Sequence, residues 1–349
     1  MDRHLLQWRR SPLLWGCGVL VAVAIMAGVV TIFHEPVMIV PEVGAVSAGL
    51  LFFRISAWRE GPLPFYLVIC GAAFLGVEIA RYLSITLVEQ IILALAIILA
   101  AVLFFRVPAY PALSAGLLPV YLHLISPFYV VAVVIFMGIP TGFILITKRP
   151  GIGPGPKIPI RPRTIGIIVG SLALMVIAVW LTRSPIAVLP PLFVATVENA
   201  NAPTARGPRQ LSLTALALLG AIELTIVLYV NLNTVFVILI TVALALIVTA
   251  KFKLESPPIL ALAIIPTVFT HGTDLRISYL ILIGIALSQA GPPAVAWSLD
   301  HIAALPTRSM VPDFDQVGDD QISIDHAGID HAGIHHAGRA RTIDMNPGD

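Results

Sequence analysis

YPALSAGLLP, Tyr110 to Pro119, is an almost wholly apolar stretch marked by two prolines, which an ordinary helix interior does not accept without losing backbone hydrogen bonds. Its echo is PPILALAIIP, Pro257 to Pro266, 147 residues later. At that same offset Arg106 aligns with Lys253, Pro111 with Pro258, Leu113 with Leu260 and Pro119 with Pro266. A cation, a short gap, a proline and a second proline eight positions on are more than hydrophobicity alone would produce. The pattern predicts that the chain holds two copies of one unit.

That unit belongs in a bilayer. Of the 349 residues, 58% are hydrophobic and 11% charged, against about 25% charged in soluble domains, and the mean hydropathy is +0.95. Apolar runs of about 20 residues recur along the whole length, which one large soluble core would not require. The net charge of +2, with no basic patch interleaved with aromatics, gives no reason to expect a nucleic-acid partner. Cys17 and Cys70 both lie in apolar runs and suggest buried thiols rather than a disulfide framework. The run from Pro12 to Phe33, behind Arg3, Arg9 and Arg10, is longer than a signal-peptide core and ends without a small-x-small site. It is expected to be a retained first transmembrane helix.

Twelve apolar segments follow one another, six in each half: 11–33, 36–53, 62–80, 83–105, 108–126 and 128–147, then 164–182, 185–197, 211–230, 232–250, 256–270 and 277–299. Segments 185–197 and 256–270 are short for a full span, and both begin at prolines. If every segment crosses from a cytoplasmic N-terminus, Arg54, Arg106, Lys148, Arg149, Lys251 and Lys253 fall inside, with Arg81, Arg183 and Arg276 outside. If the second and fifth segments of each half are re-entrant, Arg54, Arg59, Arg106, Arg206, Arg209, Lys251 and Lys253 move outside. The excess of cations on the cytoplasmic side favours the first arrangement. Either way each half crosses an even number of times, so the expected fold is an all-α polytopic membrane protein. It comprises two parallel repeats of about six segments, ten to twelve transmembrane helices, with both termini cytoplasmic. The expected divisions are residues 1–147 and 164–300 for the repeats, 148–163 for a cytoplasmic Pro/Gly/basic linker, and 301–349 for a polar tail.

The linker glycines are not followed by Gly-Lys-Ser/Thr and do not make a phosphate loop. In the tail, DHAGIDHAGIHHAG (Asp325 to Gly338) gathers His326, His331, His335 and His336, but their glycine-punctuated spacing imposes no common face. The reading there is low-complexity chain rather than a metal site.

Carboxylates inside membrane segments are costly and face protein or water. Glu78 in AFLGVEIA and Glu223 in ALLGAIEL both follow Leu-Gly in the third segment of their half, a duplicated placement that suits a coupling or gating group beside a pore. A structural glutamate hydrogen-bonded to a neighbouring helix is the competing reading. Glu42 in VPEVGAVSAG is the next candidate, with Glu198, Asn199 and Asn201 in its counterpart region. Pro111, Pro119, Pro257, Pro258 and Pro266 mark broken-helix segments that could expose backbone groups to an aqueous path, with Ser114, His123, Thr267 and His271 in or just past them. Arg106 and Lys253 could draw an anion to the cytoplasmic mouth. No serine or cysteine nucleophile has a histidine–carboxylate pattern beside it, so no enzyme, metal or cofactor is expected.

At AYPA (Ala109 to Ala112), SPP (Ser256 to Pro258) and VPEVGAVSAG (Val40 to Gly49) the chain resembles the HPP family of integral membrane proteins, as a diverged and duplicated relative. Those proteins carry an apolar Pro/Gly/Ala segment early and a His-Pro-Pro-Ala segment late. The histidine is absent from both copies here, where Ala109 and Ser256 stand. The resemblance covers about residues 12–147 and 164–299, and implies a multi-helix membrane unit for which transport of small anions, nitrite among them, has been suggested. The expected function is therefore an integral cell-membrane transporter or channel-like protein for a small solute, possible as a homo-oligomer or as one chain replacing a homodimer. The alternative is a non-transporting scaffold or subunit that binds a partner through its tail.

Overall fold

The structure is a computed structural model that describes residues 12–147, 161–201, 207–229, 232–268 and 276–304. Most of the linker (148–160), His271 and the His-rich tail lie outside the described residues. Every regular element among them is helical. In chain order they are α1 (Pro12–Phe33), α2 (Glu42–Ser47, prolonged by a π-type turn over Ala48–Phe52), α3 (Ser56–Glu60), α4 (Pro62–Tyr82), α5 (Leu87–Phe105), α6 (Pro111–Leu122) and α7 (Pro127–Thr147). After the linker come α8 (Pro162–Thr182), α9 (Pro190–Asn201), α10 (Pro208–Tyr229), α11 (Thr234–Phe252), α12 (Pro258–Leu262, with a 3-10 turn over Ile265–Thr267) and α13 (Arg276–Ala304).

Proline decides where many of these helices begin. It stands first in α1, α4, α6, α7, α8, α9, α10 and α12, a position where its missing N–H is no loss and its φ is already helical. Elsewhere side chains cap the start. Thr86 and Glu89 form a reciprocal capping box before α5, and the Asn233 side chain accepts from the Val235 amide before α11. The ends have their own signature. His34, Arg54, Arg106, His123, Arg183 and Lys253 all adopt positive φ just past a helix, a conformation usually left to glycine. Each of these residues is cationic or ionisable and stands at the negative end of a helix dipole.

Eight helices, α1, α4, α5, α7, α8, α10, α11 and α13, are long and apolar enough to cross a membrane. Their outer faces carry Ile32, Phe74, Phe104, Val131, Ile146, Ile177, Leu216 and Ile247 exposed. So broad an apolar surface suits hydrocarbon and not water. The chain is thus a multi-pass membrane protein. Ten to twelve full-length helices are expected from the sequence, and among the described residues eight reach that length. Segments 36–53 and 108–126, long enough by residue count, are interrupted like 185–197 and 256–270. The reason is again proline. Glu35 before Pro36 and Ser184 before Pro185 lie outside the helical region, while Tyr110 before Pro111 and Pro257 before Pro258 keep helical dihedrals and mark where helices start. Each segment is consequently part helix and part turn or extended chain.

Four of the five short helices, α2, α6, α9 and α12, sit at the centre. α2 packs against α6 and α12, and α9 packs against the same two, so the quartet closes on itself. The long helices lie around it: α4 and α7 beside each other, α8 against α13, and α11 against α1. Burial follows the same division. Ile39 to Phe53, Pro111 to Tyr121, Ala187 to Val197 and Ser256 to Ile265 are buried without a break, whereas each long helix buries only one face.

Candidate functional site

Polar groups inside this quartet are few and specific. Glu42, the first residue of α2, is 1% exposed. The hydroxyl of Ser114, on the first turn of α6, donates to its Oε1 at 2.5 Å, while Oε2 is buried without a hydrogen-bond partner among the described residues. The backbone amide of Glu42 also points at its own carboxylate. The Tyr129 hydroxyl, from α7, lies within electrostatic reach of Glu42. Just before α6, Tyr110 is similarly within electrostatic reach of Glu198 on α9. Ser47, Tyr121, Thr141 and Ser256 are buried with hydroxyls that have no hydrogen-bond partner among the described residues. Such groups are expensive in an apolar interior.

The breaks in the short helices free backbone groups as well, and several of these are taken up by neighbouring spans. Pro119 has no N–H for the Ala115 carbonyl, which instead accepts from the Tyr129 hydroxyl at 2.9 Å. In the second half the Thr267 amide turns to Ile264 in a 3-10 geometry. The Ala263 carbonyl thereby left open accepts from Thr225 of α10 and Thr241 of α11, both at 2.9 Å. Where the chain enters α2 in extended form, the Val40 amide donates to Met26 Sδ of α1 at 3.3 Å. In the other half Thr196 Oγ1 lies 2.8 Å from Met175 Sδ of α8. Asn199 ties α9 to α13 by donating to the Ser288 carbonyl at 2.8 Å.

Glycine lets the quartet sit this close to its walls. A Cβ on Gly76 of α4 would fall 2.0 Å from the Gly116 carbonyl oxygen of α6, and one on Gly284 of α13 would fall 2.4 Å from the Ala187 oxygen. Within the quartet, Gly44 of α2 rides on the Leu260 carbonyl of α12.

The sequence candidates distribute unevenly over this arrangement. Glu42 and Ser114 are brought together, and Pro111, Pro119, Pro257 and Pro258 are buried in the quartet, with Pro266 half-buried at the end of α12. Glu78 on α4 and Glu223 on α10 are half-buried, and neither makes a hydrogen bond or ion pair with another described residue. Arg106 and Lys253 are exposed helix ends, and the Lys253 carbonyl accepts from Gln210 at 3.2 Å. His123 is exposed and Thr267 buried. Nothing specific in the sequence marks Tyr129, Thr225, Thr241, Ser47 and Tyr121. A hydroxyl within an apolar run is their only sequence signal, and many such hydroxyls merely bond back to their own helix. Among the described residues no three His, Cys, Asp or Glu side chains cluster as a metal site. Comparison with family models, curated proteins and solved structures finds no match to this chain.

Proposed function

We propose that this chain is a transporter or channel-like protein for a small solute, a small anion foremost, in the cell membrane. The observation that carries the proposal is the closed quartet of short, interrupted helices bearing buried polar groups without partners. Within a bilayer, broken backbone is stable only inside protein or beside water. Ionisable groups there usually mark a route for ions or solutes. A scaffold that only needed rigidity would gain nothing from Glu42 or from helices that stop half way.

In this reading the solute passes through the quartet, Glu42 lies on its path, and Glu78 and Glu223 act as gating groups on the surrounding spans. Arg106 and Lys253 raise the local concentration of anions at the cytoplasmic mouth. The two halves are parallel repeats with cytoplasmic termini, related to the HPP family. An offset of 149 residues supports the duplication, because it pairs Met26 with Met175, His34 with Arg183, Pro41 with Pro190 and Ser47 with Thr196. The 12 helical residues of α6 and of α9 cover about 18 Å, so a crossing of the hydrocarbon layer of about 30 Å would draw on the turns and extended residues beside them.

The test is flux. Purified chain in vesicles should take up nitrite faster than empty vesicles, and Glu78→Gln with Glu223→Gln should slow that uptake. Protein-containing vesicles no more permeable than empty ones, to nitrite and to a panel of other small anions and neutral solutes, would refute transport.

A further inference from the structure

We infer that Glu42 holds a proton on Oε2 in the conformation described and is the group that carries protons through the transport cycle, with Ser114 as its positioning residue. This rests on the transport reading and deepens it by naming the co-transported species. The argument is one of compensation. A carboxylate taken fully out of water needs a cation or several donors, and without them it stays neutral by keeping its proton. The Ser114 hydroxyl and Glu42's own amide are dipoles, not charges, and both leave Oε2 unserved.

Among the described residues, the cation on an element packed against α2 is Arg59 of α3, which with Glu60 lies against the Ala48–Phe52 turn at the far end of α2 from Glu42. From α7 comes the neutral Tyr129. α6 carries Tyr121, Tyr110 precedes it, and Glu198 of α9 is within electrostatic reach of Tyr110. On α1 the titratable side chain is the exposed Cys17. α12 has none, and Glu255 just before it is exposed. Arg54, beyond the far end of α2, lies over the Trp15 ring at 5.3 Å. Protonated, Glu42 satisfies the electrostatics of a closed quartet. When the quartet opens to water the Oε2–H bond can break, the proton passing to water and the charge remaining on a now solvated carboxylate. Rebinding from the other side restores the neutral form. Glu78 and Glu223, half-buried on the surrounding spans, are not so enclosed and are not assigned this role.

The test reads the proton directly. Full-length chain is reconstituted in phosphatidylcholine–phosphatidylglycerol vesicles, and the infrared carbonyl band of protonated carboxylic acids is followed in H2O and D2O at neutral pH. A band lost in Glu42→Gln, shifted in Ser114→Ala and retained in Glu78→Gln and Glu223→Gln is expected. A wild-type spectrum without that band, or one unchanged in both Glu42→Gln and Ser114→Ala, overturns the assignment. If Glu42→Gln does not reconstitute, Ser114→Ala decides by the shift alone. In the same vesicles, loaded with a pH indicator, nitrite uptake should acidify the lumen with wild type and not with Glu42→Gln. Absence of nitrite flux in wild type with the band assigned as expected would count against nitrite as solute and leave the proton site standing. Intact proton-coupled flux in Glu42→Gln would remove Glu42 from the cycle.

Discussion

At the residue scale the contrast between Gly76 and Gly71 separates packing from propensity. Both lie in α4, and alanine is the better helix former at either place by up to about 1 kcal/mol. At Gly71 a Cβ meets nothing within 4 Å, whereas at Gly76 it meets the Gly116 carbonyl at 2.0 Å. Gly71→Ala should therefore leave thermal stability in detergent unchanged or slightly raised. Gly76→Ala should lower it, because the α4–α6 contact must open, with an overpacking cost of about 1–3 kcal/mol or more. Equal melting temperatures for the two variants would show that α4 and α6 do not touch there. Glu42 was legible in the sequence at this scale, since a carboxylate in VPEVGAVSAG stands out against its neighbours. Its pairing with Ser114 was not, because 72 residues separate the two and nothing in either local pattern refers to the other.

At the element scale the short helices hold together only if their opened carbonyls are served, and the two halves do this differently. Ala115 has one donor, Tyr129, while Ala263 has two, Thr225 and Thr241. Removing a sole buried donor costs about 1–3 kcal/mol, so Tyr129→Phe should lower the melting temperature of purified protein on its own. Thr225→Val or Thr241→Val alone should cost less, because the other hydroxyl remains. The double variant should cost more than the two singles added, the sign of groups sharing one partner. Strict additivity would show that the threonines act through their own helices instead. The prolines behind these breaks were plain in the sequence. What escaped it was that 36–53 and 108–126 are as interrupted as the two segments already short by count. A hydropathy window sums side chains and is blind to a backbone that changes conformation partway along.

At the scale of the whole molecule, membrane residence was legible from composition and run length alone, because hydrocarbon demands both. The enclosure of four short helices by eight long ones was not, since burial in protein and exposure to lipid select the same side chains. The path of the chain through the bilayer is where the two accounts meet. His34, Arg54, Arg106, His123, Arg183 and Lys253 all end helices in the same left-handed conformation, and so offer six equivalent reporters. If the short segments cross, as the distribution of cations favours, cysteines at Arg54, Arg106 and Lys253 face the cytoplasm, and those at His34, His123 and Arg183 face outward. If they turn back, all six face outward. The experiment places single cysteines at these positions in a background with Cys17→Ser and Cys70→Ser, and labels intact cells with a membrane-impermeant thiol reagent. Three labelled positions and three protected ones are expected, the protected three reacting once the membrane is permeabilised. Labelling of Arg106→Cys and Lys253→Cys in intact cells would make the short helices re-entrant. It would also move those cations from the cytoplasmic mouth to the outer one, reversing the side from which an anion is drawn in.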